Sequence, residues 1–302
     1  MAHIRLTGLI PPMITPMDGN RNVDEAAVAG LVEYLIAGGV DGIFALGSSG
    51  EGPLLTRAER RRLISATVKA VAGRVPVLVG ALEPSAPTAI EAAQDAEELG
   101  ATALVLTTPY YVVNDQAMAV RFVEAIMADT TLPIMLYNIP SATGHRFEPA
   151  TVAQLAKHPR VIGLKDSSGD LASVQETLRL TRSMANFTVL MGAERLCTAA
   201  LQMGAHGLVS GLGNVAPALL KQLYVAATTG DIAEATRCQD QVEALWHLHS
   251  PGHWLSNLKT AVSELGFGSG LAVDPILPAA PEQCEKIRTL LGQAGLLPLS
   301  RA

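Results

Sequence analysis

Val161-Ile162-Gly163-Leu164-Lys165-Asp166 is a short run of mostly apolar residues that ends in a cation and an anion. Short runs of this kind, with little alternation between apolar and polar positions, suit parallel strands covered by helices on their outer side. Seven similar runs occur at 9–15, 42–47, 75–80, 103–108, 133–138, 188–192 and 207–210. From the second to the seventh they recur at intervals of 27–33 residues, the length one strand plus one return helix uses. The intervening segments carry helix signals. Asp24 caps Glu25–Ala37, and Thr56-Arg57-Ala58-Glu59 reads as a capping box opening a helix to about Val71. Further helices are expected at 88–99, 115–128, 149–157, 171–184 and 194–203. Eight such units predict an α/β fold, a (β/α)8 TIM barrel.

After Ser210 the strand signal stops, and 219–229, 232–248, 253–265 and 281–292 read as helices. The expected organisation is a catalytic barrel over 1–215 with a C-terminal helical extension, 216–302, packed on it, because no low-complexity linker separates the two.

Composition narrows the function. Of 302 residues 49% are hydrophobic and 17% charged, which excludes a disordered chain. The net charge is −6 and the longest basic run is Arg60-Arg61-Arg62, so there is nothing to neutralise a string of phosphates and no nucleic-acid partner is expected. No apolar stretch is long enough for a membrane span. The three cysteines, Cys197, Cys238 and Cys284, are too far apart for a disulfide framework or a thiolate zinc site, which fits the cytoplasm.

Active groups of such barrels lie at the carboxyl ends of strands. By strand alternation Val161, Gly163 and Lys165 share the face toward the barrel axis, with Ile162 and Leu164 under the helices. A lysine at the barrel mouth is poorly solvated, and a neutral amine there can attack a carbonyl carbon; the structural alternative is an ion pair with Asp166. Tyr137, in Pro133-Ile134-Met135-Leu136-Tyr137-Asn138, points inward from the preceding strand and offers a phenol for proton transfer, or else caps the core. Gly47-Ser48-Ser49-Gly50-Glu51-Gly52 follows the second strand and can turn consecutive backbone N–H groups toward an anion; it is neither a Walker loop nor a dinucleotide fingerprint. His247, His249 and His253 lack interleaved acids and are broken by Pro251-Gly252, so no metal site is expected.

Together these motifs resemble the dihydrodipicolinate synthase/N-acetylneuraminate lyase family of pyruvate-dependent barrel enzymes. The resemblance rests on Pro11-Pro12-Met13-Ile14-Thr15-Pro16, Gly47-Ser48-Ser49-Gly50-Glu51, Thr108-Pro109-Tyr110-Tyr111, Tyr137-Asn138-Ile139-Pro140 and Gly163-Leu164-Lys165-Asp166, all in order. It implies a class I aldolase in which Lys165 forms a Schiff base with pyruvate or another 2-oxo acid, and Tyr137 relays protons with Ser48 and Tyr111. Tyr111 would be supplied by a neighbouring subunit, and the Ser48 and Ser49 amides beside Gly47 would hold the carboxylate. The implied assembly is a homotetramer, a dimer of dimers, with no metal or cofactor.

The aldehyde substrate is read from departures. Members that make dihydrodipicolinate resemble this chain up to Ser141 and then carry an arginine for the aldehyde's carboxylate, where this chain has Ala142. Sialic acid lyases are similar at Ser167 and Gly192, but follow with an acidic pair where this chain has Glu194-Arg195. Ser167, Gly192, Glu194, Val209 and Ser210 are therefore the candidate substrate-binding positions, and the residue set is closest to aldolases of 2-keto-3-deoxy sugar acids. The enzymatic alternative is 4-hydroxy-tetrahydrodipicolinate synthase. A silent barrel that senses a small oxo acid and a metal-dependent aldolase are the rivals from other classes.

Overall fold

The computed structural model describes residues 4–297. Eight parallel strands alternate with helices: β1 Gly8–Leu9, α1 Glu25–Ala37, β2 Ile43–Ala45, α2 Arg57–Val71, β3 Val77–Gly80, α3 Ala86–Glu98, β4 Ala103–Thr107 and α4 Gln116–Ala128. The order continues with β5 Ile134–Asn138, α5 Pro140–Thr143, α6 Pro149–Leu155, β6 Val161–Asp166, α7 Leu171–Thr181, β7 Thr188–Met191, α8 Cys197–Gln202 and β8 Gly207–Leu208. Last come α9 Pro217–Thr229, α10 Ile232–Trp246, α11 Trp254–Glu264 and α12 Pro281–Gln293. Each strand from β2 to β8 pairs with its sequence neighbour, and β8 pairs with β1. The architecture is the (β/α)8 barrel expected from the sequence.

The seam between β1 and β2 explains why the first strand is shorter than its 9–15 run. Pro11 and Pro12 have no N–H to give a ladder, so regular pairing stops at Leu9. The barrel is closed there by single bonds: the Phe44 amide donates to Pro11 O at 3.0 Å, and the Met13 amide to Phe44 O at 2.9 Å.

Two separate apolar clusters mark the faces of the strands. Ile10, Phe44, Leu78, Val105, Met135, Tyr137, Leu190 and Val209 fill the interior. Ile43, Val79, Leu104, Leu136, Leu164 and Val189 pack outward among helix residues such as Leu31, Leu63 and Val123. The alternation in β6 is broken. Ile134 pairs with Val161 but Met135 pairs with Gly163, so Ile162 is an extra residue in a bulge. Ile162 therefore joins the interior cluster and Val161 the outer one, the reverse of the expected parity. Gly163, Leu164 and Lys165, beyond the bulge, keep the parity read from sequence.

The cap signals operate largely as read. Asp24 accepts the Ala27 amide and Thr56 accepts the Glu59 amide. Glu59, however, does not reach back to Thr56. Its Oε2 accepts the Val23 amide at 2.6 Å, tying the start of α2 to the chain entering α1. The 194–203 segment is a 3-10 turn, Glu194–Leu196, before α8. After β8, α9 packs against α8 and β1, and α10 packs along α9. The helices α11 and α12 lie against each other, with α11 touching the turn after β8.

Candidate active site

The site is assembled where six strands end, β2 and β4 to β8. The register places Thr107, Tyr137, Lys165 and Leu190 in one row across β4, β5, β6 and β7, so the phenol and the amine are neighbours on adjacent strands. The Lys165 Nζ lies 3.8 Å from the centroid of the Tyr137 ring and 5.1 Å from that of Phe44. Phe44 and Tyr137 meet edge to face. Lys165 is 3% exposed, and among the described residues no carboxylate pairs with it. Asp166, the partner an ordinary structural lysine would take, faces away. Its carboxylate accepts from Asn138 Nδ2 at 2.8 Å, from the Ser168 amide at 2.9 Å and from Ser168 Oγ at 2.6 Å.

Tyr137 touches Ser48 across the barrel mouth, Oγ to OH 3.5 Å. Burial pushes the phenol's pKa up, but the charge of Lys165 and hydrogen bonds with Ser48, Lys165 and Ser167 outweigh it and hold the hydroxyl below its ordinary value. A phenol tuned down beside an amine is equipped to exchange protons with whatever the amine binds. Thr107, in register with Tyr137, has a buried hydroxyl with no partner among the described residues.

The Gly47–Gly52 turn is fixed tightly. The Glu51 amide donates to Ser48 O and the Gly52 amide to Gly47 O, while Thr15 Oγ1 donates to Gly50 O. Gly50 is required because a Cβ there would stand 2.8 Å from Met13 O. Gly47 rests on the Phe44 ring, where a Cβ would be 2.9 Å from the ring edge.

The opposite wall comes from β7 and β8. Gly192 leaves room for Ser167 Oγ and for Lys165, whose Cε would be 3.1 Å from an added Cβ. Glu194 Oε1 accepts Ser210 Oγ at 2.8 Å and the Leu212 amide at 2.7 Å, and Oε2 meets His249 Nε2 at 3.0 Å. Burial raises the Glu194 carboxyl's pKa, but His249, the Leu212 amide and Ser210 more than offset this and leave it below the usual carboxylate value. Arg195 turns away, to Glu243 and over the Trp246 ring. Val209 is buried in the interior cluster below.

Lys165, Tyr137, Ser48, Ser167 and Gly192 thus converge, and Ser49, Glu194 and Ser210 border them at Gly211, where an added Cβ would be 3.5 Å from both Ser49 Oγ and Glu194 Oε1. Tyr111 stands apart from its own chain's site. It is 96% exposed, at φ +77°, followed by the exposed Val112 and Val113. Of the histidine trio, His247 meets Trp246, His249 lies between Trp246 and Trp254, and His253 stacks on Trp254. Sequence reasoning missed Phe44, His249 and Lys259. Alternation through Ile43-Phe44-Ala45 could have found the first, whereas the other two act over distances of 55 and 208 residues with no local signal. A cavity of about 590 Å³ between α1, α9, α10 and α12 lies away from these groups.

An amine and a phenol side by side at the carboxyl end of a closed parallel barrel, faced by a serine turn, define an enzyme of the barrel lyase and aldolase class. The chain belongs to the dihydrodipicolinate synthetase family, whose model matches residues 5–294. It is 36% identical over 290 residues to the 4-hydroxy-tetrahydrodipicolinate synthase of Thermomicrobium roseum, covering 95% of this chain and 94% of that one. It is 33% identical to an uncharacterized DapA-like lyase of Halobacterium salinarum, covering 97% and 95%. Among solved structures it is similar to YagE, a prophage protein of the dihydrodipicolinic acid synthase family from E. coli K12 in complex with pyruvate. That likeness has a TM-score of 0.92 at 32% identity and covers 97% of this chain and 99% of YagE.

Proposed function

We propose that this lyase is a Schiff-base-forming class I aldolase that cleaves or condenses pyruvate-derived 2-oxo acids of the 2-keto-3-deoxy sugar acid type. The observation that carries the reading is the Lys165 amine, buried with no carboxylate partner among the described residues and 3.8 Å from the Tyr137 ring centroid. The pyruvate bound in the YagE structure supports the 2-oxo acid half of the substrate.

In cleavage, the Lys165 ammonium gives up one proton to the site and its amine attacks C2 of the oxo acid; return of that proton to the C2 oxygen lets water leave and gives a protonated imine. Tyr137 takes the proton from the C4 hydroxyl as the C3–C4 bond breaks. The bond's electron pair moves into the imine, leaving an enamine and releasing an aldehyde. Protonation at C3 and hydrolysis then return pyruvate and the free amine. Ser48, beside the Tyr137 hydroxyl, passes protons onward, and the Ser48 and Ser49 amides hold the carboxylate. Tyr111 completes the relay from a neighbouring subunit, so the working form is a homo-oligomer, a tetramer built from two tight dimers. Its exposure beside Val112 and Val113 suits that role. The protonated imine is itself the electron sink, so the reaction calls for no metal or cofactor. A cytoplasmic setting fits three free cysteines and the lack, among the described residues, of any helix long and apolar enough to cross a membrane.

Ala142 lies in α5, where a dihydrodipicolinate-forming enzyme would carry its arginine clamp. Arg146 is exposed and 3.8 Å from Asp170, so its charge is directed to that carboxylate. The polar wall of Ser167, Ser210 and Glu194 suits a hydroxylated aldehyde. The second reading, condensation of pyruvate with aspartate semialdehyde, is favoured by the synthase relatives. Pyruvate release from a panel of 2-keto-3-deoxy acids, set beside condensation of pyruvate with aspartate semialdehyde, separates them. Turnover with a deoxy acid supports the first reading, and turnover with aspartate semialdehyde alone replaces it with the second.

A further inference from the structure

We infer that Glu51 and Lys259 are positioning residues for the Ser48–Ser49 turn, so that the C-terminal helix α11 sets the geometry in which the carboxylate of the oxo acid is held. The inference rests on the pyruvate reading above and adds to it a part of the chain outside the barrel.

Glu51 and Lys259 form an ion pair whose side chains are 0% and 1% exposed. The other Glu51 oxygen, Oε2, accepts the Val273 amide at 2.6 Å. Both carboxylate oxygens are therefore committed to the region beyond the barrel. Glu51 itself is held left-handed, at φ +59°, and its amide closes the turn onto Ser48 O. A non-glycine residue persists in that conformation only where its surroundings over-determine it. Gly52, next along, sits so close to Leu46 O that a Cβ would overlap it. The turn cannot shift without moving Glu51.

The segment carrying Val273 is anchored in its turn. The Ser269 amide donates to Met17 O at 2.9 Å, and Arg21 donates to Ala272 O and pairs with Asp274 at 3.3 Å. Chain from the β1–α1 loop, α11 and residues 269–274 thus clamps one carboxylate, three residues from Ser48. A pair so deeply buried is a poor source of stability, because desolvating two charges costs as much as their attraction returns, and apolar replacements are often neutral. Burial accordingly lowers the Lys259 pKa even beside its carboxylate. Orientation of the turn is the return that remains.

The test uses the full chain and pyruvate alone. Borohydride trapping on Lys165 is titrated with pyruvate in the parent, in Glu51→Asp, which keeps the charge but retracts it by one methylene, and in the Glu51→Gln/Lys259→Met double variant, which leaves no buried charge. Both variants are compared at matched folded fraction, from melting curves. The expected result is an unchanged maximal trapped fraction with half-saturation raised about tenfold or more, equivalent to about 1.4 kcal/mol of carboxylate binding. A purely structural pair would lower the melting temperature and leave half-saturation unchanged, and that outcome overturns the inference. Should the double variant not fold, Glu51→Asp gives the same reading. Failure of the parent to trap pyruvate at all would instead sink the functional reading.

Discussion

The Lys165 ammonium nitrogen sits over the face of Tyr137, 3.8 Å from the ring centroid, and the two residues are direct register partners on β6 and β5. The ring face attracts the charged amine while the hydroxyl at the ring's edge meets Ser48. On the proposed mechanism one side chain would therefore seat the nucleophile and handle the proton. Tyr137→Phe keeps the first role and removes the second. Trapping of pyruvate at Lys165 should survive in this variant, while kcat for cleavage falls by about 10²–10⁴-fold. Loss of trapping in a folded Tyr137→Phe protein would assign the tyrosine to imine formation instead.

Gly192→Ala tests the space around the amine. The new Cβ would overlap Ser167 Oγ and stand 3.1 Å from Lys165 Cε. The backbone conformation there is open to alanine, so the variant should fold, with activity reduced through displacement of Ser167 and Lys165. Circular dichroism and steady-state rates check both halves. A fully active Gly192→Ala would show that Ser167 moves aside freely.

Glu194 should make stability depend on pH in a defined direction. Its carboxyl's folded-state pKa is depressed below the ordinary value of 4.5, so its contribution is complete above that value and is lost as pH falls through the folded one. Glu194→Gln, which disturbs the contacts to His249, Ser210 and the Leu212 amide, should cost about 1–3 kcal/mol at pH 7. The gap between parent and variant in urea unfolding should narrow below pH 4.5. A gap that stays constant down to acid pH would count against this origin.

Tyr111 predicts complementation between subunits. Tyr111→Phe and Lys165→Ala should each be nearly inactive alone. Mixed and reassembled, they form heterodimers in which one site has both its own lysine and a partner's tyrosine. Random pairing gives about a quarter of parental activity. No recovery, with mixed dimers confirmed by mass, would place the tyrosine's action elsewhere.

How far the sequence reaches can be followed along β6. Six residues with little alternation announced a covered parallel strand, and counting back from Lys165 put the amine in the mouth. The same counting failed for Val161 and Ile162, because a bulge depends on how β5 pairs with β6 and not on β6 alone. Thr56 and Asp24 declared their helices through local chemistry, yet Glu59 found a better partner in the Val23 amide than in its own cap. Pro11 and Pro12 stand inside the 9–15 run, and a strand without donors keeps its path but loses its ladder. The reach of Lys259 to Glu51, and of His249 to Glu194, is set by how the C-terminal helices dock. Nothing at a spacing of 208 or 55 residues records that.

The most direct measurement is peptide mass spectrometry of the full chain after incubation with pyruvate and borohydride. Reduction should leave the mass of one pyruvate-derived group on the peptide containing Lys165 and nowhere else, and Lys165→Ala should abolish it. A reduced adduct on another lysine, or an unmodified Lys165 at saturating pyruvate, would contradict the account.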